Sequence, residues 1–239
     1  MAQAVILCAG RGSRLGSVTA GLPKAMVPVL GTPLIVRIVE KLSAGGFSDF
    51  IIVTGTDGHP IRRALRHING VRFATQPAPL GTADAVRCAE PLLAPRFLLT
   101  YGDLWVADEE IRRMKERLES DKWWIGVSRM ERPCGAAVYL DGDRVRRMME
   151  KPLWSGEPDT CWNASGLYVL DRGIASDCAR VHRSQRRELE LADAIQLAIV
   201  RGVPVHALLL REAPIDVGVP ERYHALCSAL EHFPRLDGL

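Results

Sequence analysis

The chain predicts an α/β protein: a three-layer sandwich built on a mostly parallel sheet, with a small β-rich lid. Three observations carry this expectation. Apolar runs bounded by turn residues recur along the chain, helical patterns separate them through the first half, and after about Ser128 the pattern changes to a hairpin. A length of 239 residues, 47% hydrophobic, is enough to bury a full core as one domain.

Strands are expected at 4–7, 50–54, 71–75, 97–101, 124–128, 167–170 and 203–210. Thr32-Pro33 reads as a cap followed by a first-turn proline. The helix it opens places Leu34, Ile35, Ile38, Val39 and Leu42 on one face and ends at Gly45-Gly46. Further helices are expected from about Gly58 to His67 and from Thr82 to about Leu93. A fourth starts at Asp108, where acids in the first turn and bases later suit the helix dipole. Residues 136–140 and 144–149 flank Asp141-Gly142-Asp143 and predict a hairpin. A loop over 154–162, a helix from about Glu188 to Arg201 and a final helix after Pro220 complete the reading. The whole chain, 1–239, is expected to be one domain. Residues 1–128 would form its core, and 129–239 a portion that includes the lid and completes the sheet.

Composition excludes several classes. A net charge of +3 lacks the concentrated basic face of a nucleic-acid binder, and the run Arg180 to Arg187 reads as a solvated loop. Six cysteines without Cys-x-x-Cys spacing read as reduced thiols, and the histidines lack metal-ligand spacing. No apolar run approaches the ~20 residues of a membrane span. Met1-Ala2-Gln3 leads straight into a strand-like segment, so no leader is expected and the expected compartment is the cytoplasm.

The stretch Leu7-Cys8-Ala9-Gly10-Arg11-Gly12-Ser13-Arg14-Leu15-Gly16 has the look of a phosphate cradle. It is not a dinucleotide fingerprint, because Leu15 stands where the third glycine belongs and no acid follows at the second strand. Nor is it a P-loop: after Gly16 and Gly21, Leu22-Pro23 replace Lys-Ser/Thr. What remains is a loop whose amides wrap phosphates while Arg14 and Lys24 supply cations. A glycine turn after the first strand of any α/β protein is the plainer reading. Asp103, closing an apolar strand, and Asp216, set among apolar neighbours, are costly unless paired or metal-bound.

The motif G-R-G-S-R-L at 10–15, followed by Pro23-Lys24 and Pro28-Val29, resembles the opening of the sugar-1-phosphate nucleotidylyltransferases. The likeness continues in order through Gln76-Pro77-Ala78-Pro79-Leu80-Gly81-Thr82-Ala83, Gly102-Asp103 and Glu150-Lys151-Pro152. It runs on through Asn163-Ala164-Ser165-Gly166-Leu167-Tyr168, Glu190-Leu191-Ala192-Asp193-Ala194-Ile195 and Asp216-Val217-Gly218-Val219-Pro220-Glu221. Departures are small: Cys8 replaces an alanine or glycine, Gly16-Ser17-Val18-Thr19 lacks a usual proline, and Val219 replaces the commoner threonine.

The resemblance implies a Rossmann-like three-layer sandwich with a sugar-binding lid, in which 1–128 form the nucleotide-binding core and 129–239 the sugar-binding and lid portion completing the sheet. It implies a reaction in which an NTP and a sugar 1-phosphate give an NDP-sugar and pyrophosphate, with Mg²⁺ as cofactor. By the same resemblance, Leu7, Ala9, Gly10, Gly12, Ser13, Arg14, Gln76, Pro79, Gly81 and Thr82 bind the nucleotide. Gly135, Glu150, Lys151, Asn163 and Gly166 meet the sugar phosphate. Asp103 and Asp216 hold the metal, and Arg14, Lys24 and Asp103 are catalytic. Asp193 and the tryptophans read as structural. Neither nucleic acid nor membrane is an expected partner, and homo-oligomerisation stays open, as do the base and the sugar. A cytidylyltransferase for a phosphocholine-like or phosphonate acceptor and a non-catalytic NDP-sugar sensor are the rivals. The chain ends at Leu239 without the acyltransferase β-helix of some relatives, so acetyl transfer is not expected.

Overall fold

A computed structural model describes residues 1–10, 22–131, 133, 135–152 and 159–232. Among them a nine-stranded sheet organises the chain. Its strands are β1 (Gln3–Cys8), β4 (Asp49–Thr54), β5 (Val71–Thr75), β6 (Arg96–Tyr101), β8 (Trp123–Arg129), β9 (Ala136–Asp141), β10 (Arg144–Glu150), β11 (Trp162–Asp171) and β12 (Val205–Leu209), in the order β5-β4-β1-β6-β11-β8-β12-β10-β9. β5, β4, β1 and β6 pair in parallel, as do β8 and β12, while β11 and β10 run antiparallel to their neighbours. The sheet is thus mixed and mostly parallel, as expected.

Helices cover both faces, which is why the inner strands are continuous apolar runs. Val5 and Leu7 of β1 face one core with α3 (Thr82–Ala89), α5 (Ile174–Cys178) and α6 (Leu191–Val200). Ala4, Ile6 and Cys8 face the other, with α1 (Leu34–Ala44), α2 (His59–Leu65), α4 (Asp108–Glu116) and α7 (Pro220–His232). Ile51 and Val53 against Phe50 and Ile52 repeat the division on β4.

The expected elements are present, with four adjustments. Thr32 and Pro33 form a short strand, β3 (Thr32–Pro33), paired with β2 (Pro28–Val29), so α1 starts one residue later than the cap reading puts it, with Pro33 before its first turn. α6 begins at Leu191 rather than near Glu188. β11 begins at Trp162, ahead of the expected 167, because a register shift between Ala164 and Tyr168, with Gly166 at φ +78°, hides its alternation. α5 has too few residues to show a helical period. The β9–β10 hairpin is present, and it completes the sheet edge: β10 pairs with β12, and β9 with β11.

β1 carries β4 and β5 on one side and β6 on the other, so the chain reverses its direction of winding at the carboxyl ends of β1 and β6. Open α/β sheets leave a crevice at such a reversal.

Candidate functional site

A cleft of about 450 Å³ opens there. Leu7, Cys8, Ala9 and Gly10 continue β1 into its floor. Tyr101, Gly102 and Asp103 follow from β6, and Gln76 and Pro79 from the end of β5, with Gly81, Thr82 and Ala85 beginning α3. Lys24 and Ala25, in a 3-10 turn over Lys24–Met26, close one side, and Glu188 reaches it from the loop before α6. Close approach sets the small residues: a Cβ on Gly102 would lie 2.4 Å from Cys8 Sγ. Burial first, and then the Asp103 carboxylate, push the Cys8 thiol well up, so it lines the floor as a neutral group.

Gly81 holds φ +122°, and a Cβ there would sit 2.4 Å from the Leu189 carbonyl oxygen. Only glycine lets the turn press on the loop before α6. Leu189 N donates to Leu80 O at 2.7 Å, Ala83 N to Leu189 O at 2.9 Å, and Leu191 N to Thr82 Oγ1 at 2.8 Å. Gln76, only 3% exposed, donates through Nε2 to Gly81 O at 3.0 Å and to Asp84 Oδ2 at 2.9 Å.

Lys24 Nζ stands between two carboxylates. It is paired with Asp103 Oδ2 and lies 3.2 Å from Asp216 Oδ1. Asp103 follows β6, directly before β7 (Leu104–Trp105), and Asp216 closes β13 (Ile215–Asp216), which pairs with β7. Val217 N donates to Asp103 O at 2.8 Å, tying the two acids' backbones together. The preceding segment hangs on buried Glu110, whose Oε1 accepts from Arg211 N at 2.7 Å and Glu212 N at 3.3 Å. At Gly218 a Cβ would meet Asp216 Oδ1 at 2.5 Å and Lys24 Nζ at 2.6 Å, so a side chain there would push the charged ends of both residues aside. Two carboxylates already sharing one cation form a hard-oxygen pair that suits a divalent ion. No group of three metal-ligating side chains occurs among the described residues. Mg²⁺ accepts such a sparse set, since waters and phosphates fill most of its shell.

Beyond Glu188 lies a charged group of a different kind. Arg186 Nη1 is 3.5 Å from Glu150 Oε1 and 3.3 Å from Glu190 Oε1, and its Nη2 is 3.5 Å from Glu188 Oε2. Burial chiefly, then the charge of Glu190, raise the Glu150 carboxyl to about 7, with Asp193 adding and Lys151 and Arg186 opposing. Lys151, held at φ 40°, donates its N–H to Gly135 O at 3.0 Å. Gly135 N in turn donates to Asn163 Oδ1 at 2.9 Å.

The structure therefore brings together Leu7, Ala9, Gly10, Lys24, Gln76, Pro79, Gly81, Thr82 and Asp103 around one cleft, with Asp216 joined through Lys24. Gly135, Lys151 and Asn163 form a second group, next to Glu150. Gly166 packs instead under Leu104 and Tyr101, at the β11 register shift. Gly12, Ser13 and Arg14 lie outside the described residues, as does Trp154. Trp123 Nε1 donates to Asp171 at 2.7 Å, and the Trp124 ring contacts His206 and Arg117, so both tryptophans serve packing. The described cysteines are free thiols. The sequence reading missed Asp84 and Arg186. Asp84 shows only as an acid among alanines, and Arg186 is hidden within a run of arginines.

Fold and cleft together define a nucleotide-handling α/β protein. Residues 3–232 match the nucleotidyl transferase family, and the chain belongs to it. It is 29% identical over 234 residues to the UTP–glucose-1-phosphate uridylyltransferase AglF of Haloferax volcanii, covering 92% of each chain. It is also 29% identical over 220 residues to the bifunctional protein GlmU of Methanococcus maripaludis, covering 91% of this chain and 52% of that one. The chain spans about half the length of the GlmU relatives it matches. A crystal structure of UDP-glucose pyrophosphorylase complexed with UDP-glucose superposes with a TM-score of 0.86 at 19% identity, over 97% of this chain and 99% of that one. A putative glucose-1-phosphate thymidylyltransferase from Bacillus anthracis gives 0.82 at 22% identity, over 95% and 94%. The described helices include none long and apolar enough to cross a membrane.

Proposed function

We propose that the chain transfers a nucleotidyl group from an NTP to a sugar 1-phosphate, releasing pyrophosphate and an NDP-sugar. The observation that carries this reading is the convergence of Lys24, Asp103 and Asp216 on the rim of a cleft lined by Gln76 and Gly81. Family membership and the printed activities of AglF and the superposed enzymes support the same class.

An oxygen of the sugar phosphate attacks the α-phosphorus, a new P–O bond forms, and the bond to the bridging oxygen of the β-phosphate breaks. The electron pair leaves with pyrophosphate. A phosphate monoester loses its second proton near pH 6, so no general base is required. Positioning and charge neutralisation then supply the catalysis. Gln76 and the backbone at Gly81 would orient the base, and the amides at Ala9 and Gly10 would approach the phosphates, joined by Gly12 and Ser13. Arg14 would stabilise the departing β- and γ-phosphates, and Lys24 the α-phosphate. Asp103 and Asp216 would hold Mg²⁺, whose charge offsets the repulsion between the two phosphates. Gly135, Lys151 and Asn163 would line the acceptor's sugar and phosphate, with Glu150 accepting from a sugar hydroxyl.

A matrix of UTP, dTTP, GTP, CTP and ATP against a panel of sugar 1-phosphates, with Mg²⁺ and a pyrophosphate readout, tests the reading. Release with at least one pair is expected, and it names base and sugar together. Silence across the matrix, with tight NDP-sugar binding, would overturn transfer in favour of a sensor.

A further inference from the structure

Asp84 lies behind Gln76, away from any step of the chemistry. Its carboxylate is 2% exposed. One oxygen accepts from Gln76 Nε2 at 2.9 Å, and the other accepts from Arg87 Nη2 at 2.6 Å. The second partner of Gln76 Nε2 is the Gly81 carbonyl, at 3.0 Å. Both partners can only accept. Turning the amide over would set its oxygen against a carboxylate oxygen and a carbonyl oxygen within a buried site, where no water relieves the repulsion. The orientation of this amide is therefore dictated by its neighbours. Both of its N–H groups are spent inside the protein. Its oxygen accepts no hydrogen bond among the described residues, although the side chain is almost fully buried and lines the cleft.

We propose that Asp84, braced by Arg87, is a positioning residue that presents only the carbonyl oxygen of Gln76 to the nucleobase. The base edge opposite Gln76 is then an N–H group. This rests on the nucleotidyl-transfer reading for the identity of the ligand, and it adds how the protein sets the polarity of its base contact. Arg87 is half exposed, so it braces Asp84 from the solvent side without entering the cleft.

The first test needs no variant. The NTP preferred by the unmodified protein is compared, by calorimetric binding, with its analogue methylated at the ring N–H (N3 of uracil or thymine, N1 of guanine) or dimethylated at the exocyclic amine (N4 of cytosine, N6 of adenine). Loss of that donor is expected to weaken binding about tenfold or more. Binding within about twofold of the parent would overturn the proposal. The second test is Asp84→Asn, whose amide can face Gln76 with either end. It is expected to lower kcat/KM for the preferred NTP about tenfold and to narrow the ranking among the five NTPs, with KM for the acceptor unchanged. Arg87→Gln leaves the Asp84 carboxylate in place, so it should keep that ranking even where Tm falls. If both variants lose Tm alike and both keep the ranking, Asp84 is only structural. Should Asp84→Asn fail to fold, the analogue comparison decides alone. A protein that rejects the methylated analogue yet releases no pyrophosphate breaks the transfer reading and leaves this one standing.

Discussion

The two sides of the cleft are held by opposite kinds of interaction. Around Gln76 and Gly81 the contacts are backbone amides, a neutral carboxamide and one carboxylate neutralised by Arg87. Around Glu150 the contacts are charges: Glu188 and Glu190 share Arg186, and Asp193 and Lys151 act on Glu150 from nearby. The first arrangement rests mainly on backbone amides and a carboxamide, which carry no charge. The second titrates near neutrality. The same short segment, from Ser184 to Leu191, serves both, because Leu189 and Leu191 bond the Gly81 turn while Glu188 and Glu190 face Arg186. In the proposed reaction the base side thus rests chiefly on uncharged groups, and the carboxyl raised toward neutrality lies on the acceptor side.

The largest effect should come from the seam between the two sides, where neither description applies. Asp103→Asn and Asp216→Asn each remove a carboxylate from Lys24 and from the proposed cation site. Pyrophosphate release is expected to fall at least ~1,000-fold in each, since a lost metal or transition-state contact is worth several kcal/mol. Binding of the nucleotide base, read by NTP affinity without added metal, should change far less. Near-normal turnover in both variants would remove Asp103 and Asp216 from the chemistry.

Glu150→Gln sharpens the comparison at intermediate size. The unfolded carboxyl titrates near 4.5 and the folded one near 7. Between those values the folded state holds the proton more tightly, so stability falls as pH rises, and the loss is complete above about pH 7. The wild type should lose about 3 kcal/mol relative to Glu150→Gln across that window, measured by denaturant unfolding. Parallel stability curves for the two proteins would refute the burial argument. Activity has the opposite sign. Once ionised, Glu150 accepts a stronger, charge-assisted bond from a sugar hydroxyl, so KM for the acceptor should fall as pH rises through 7. The variant should lose that dependence and keep only the ionisation of the substrate phosphate. KM for the NTP should follow the same pH profile in both proteins.

Much of this arrangement was legible from the sequence, for a physical reason. Strands buried on both faces are unbroken apolar runs, and an acid that follows one, as Asp103 does, stands out because burial makes it costly. Gln76, which by itself reads as a surface glutamine, was legible only through the motif that runs from it to Ala83. Gly81 was legible through its setting in the Gln76 to Ala83 motif, and its left-handed φ shows why no other residue serves. What the chain concealed was contact between distant segments. Asp84 is informative only once Gln76 lies against it, and Arg186 only once β10 and the loop before α6 bring Glu150 and Glu190 around it. Spacing carries no trace of either. The early start of β11 was hidden in the same way, by polar Asn163 and Ser165 and by the turn at Gly166.

Arg186→Gln is the finest test of the division, and its effect is the smallest. Arg186 is 42% exposed, and Glu150 and Glu190 both draw on it. Solvent screens such a cation, so its contribution is well below that of burial. Arg186 favours the charged form of Glu150, and removing it should move the Glu150 midpoint upward from about 7. Lys151 still opposes the rise, while Glu190, relieved of the same cation, adds to it. The acceptor KM profile should therefore keep its shape and slide to higher pH. The displacement should shrink in high salt at the wild-type end, because added ions already weaken the Arg186 contact there. On the other side of the cleft, the ranking of NTPs should not move, since the bonds from Leu189 and Leu191 to the Gly81 turn do not involve this side chain. A changed ranking would mean that charge on the loop before α6 is transmitted to the base contact, and the division between the two sides would fail. A profile that stays put would show that Arg186 does not act on the Glu150 carboxyl.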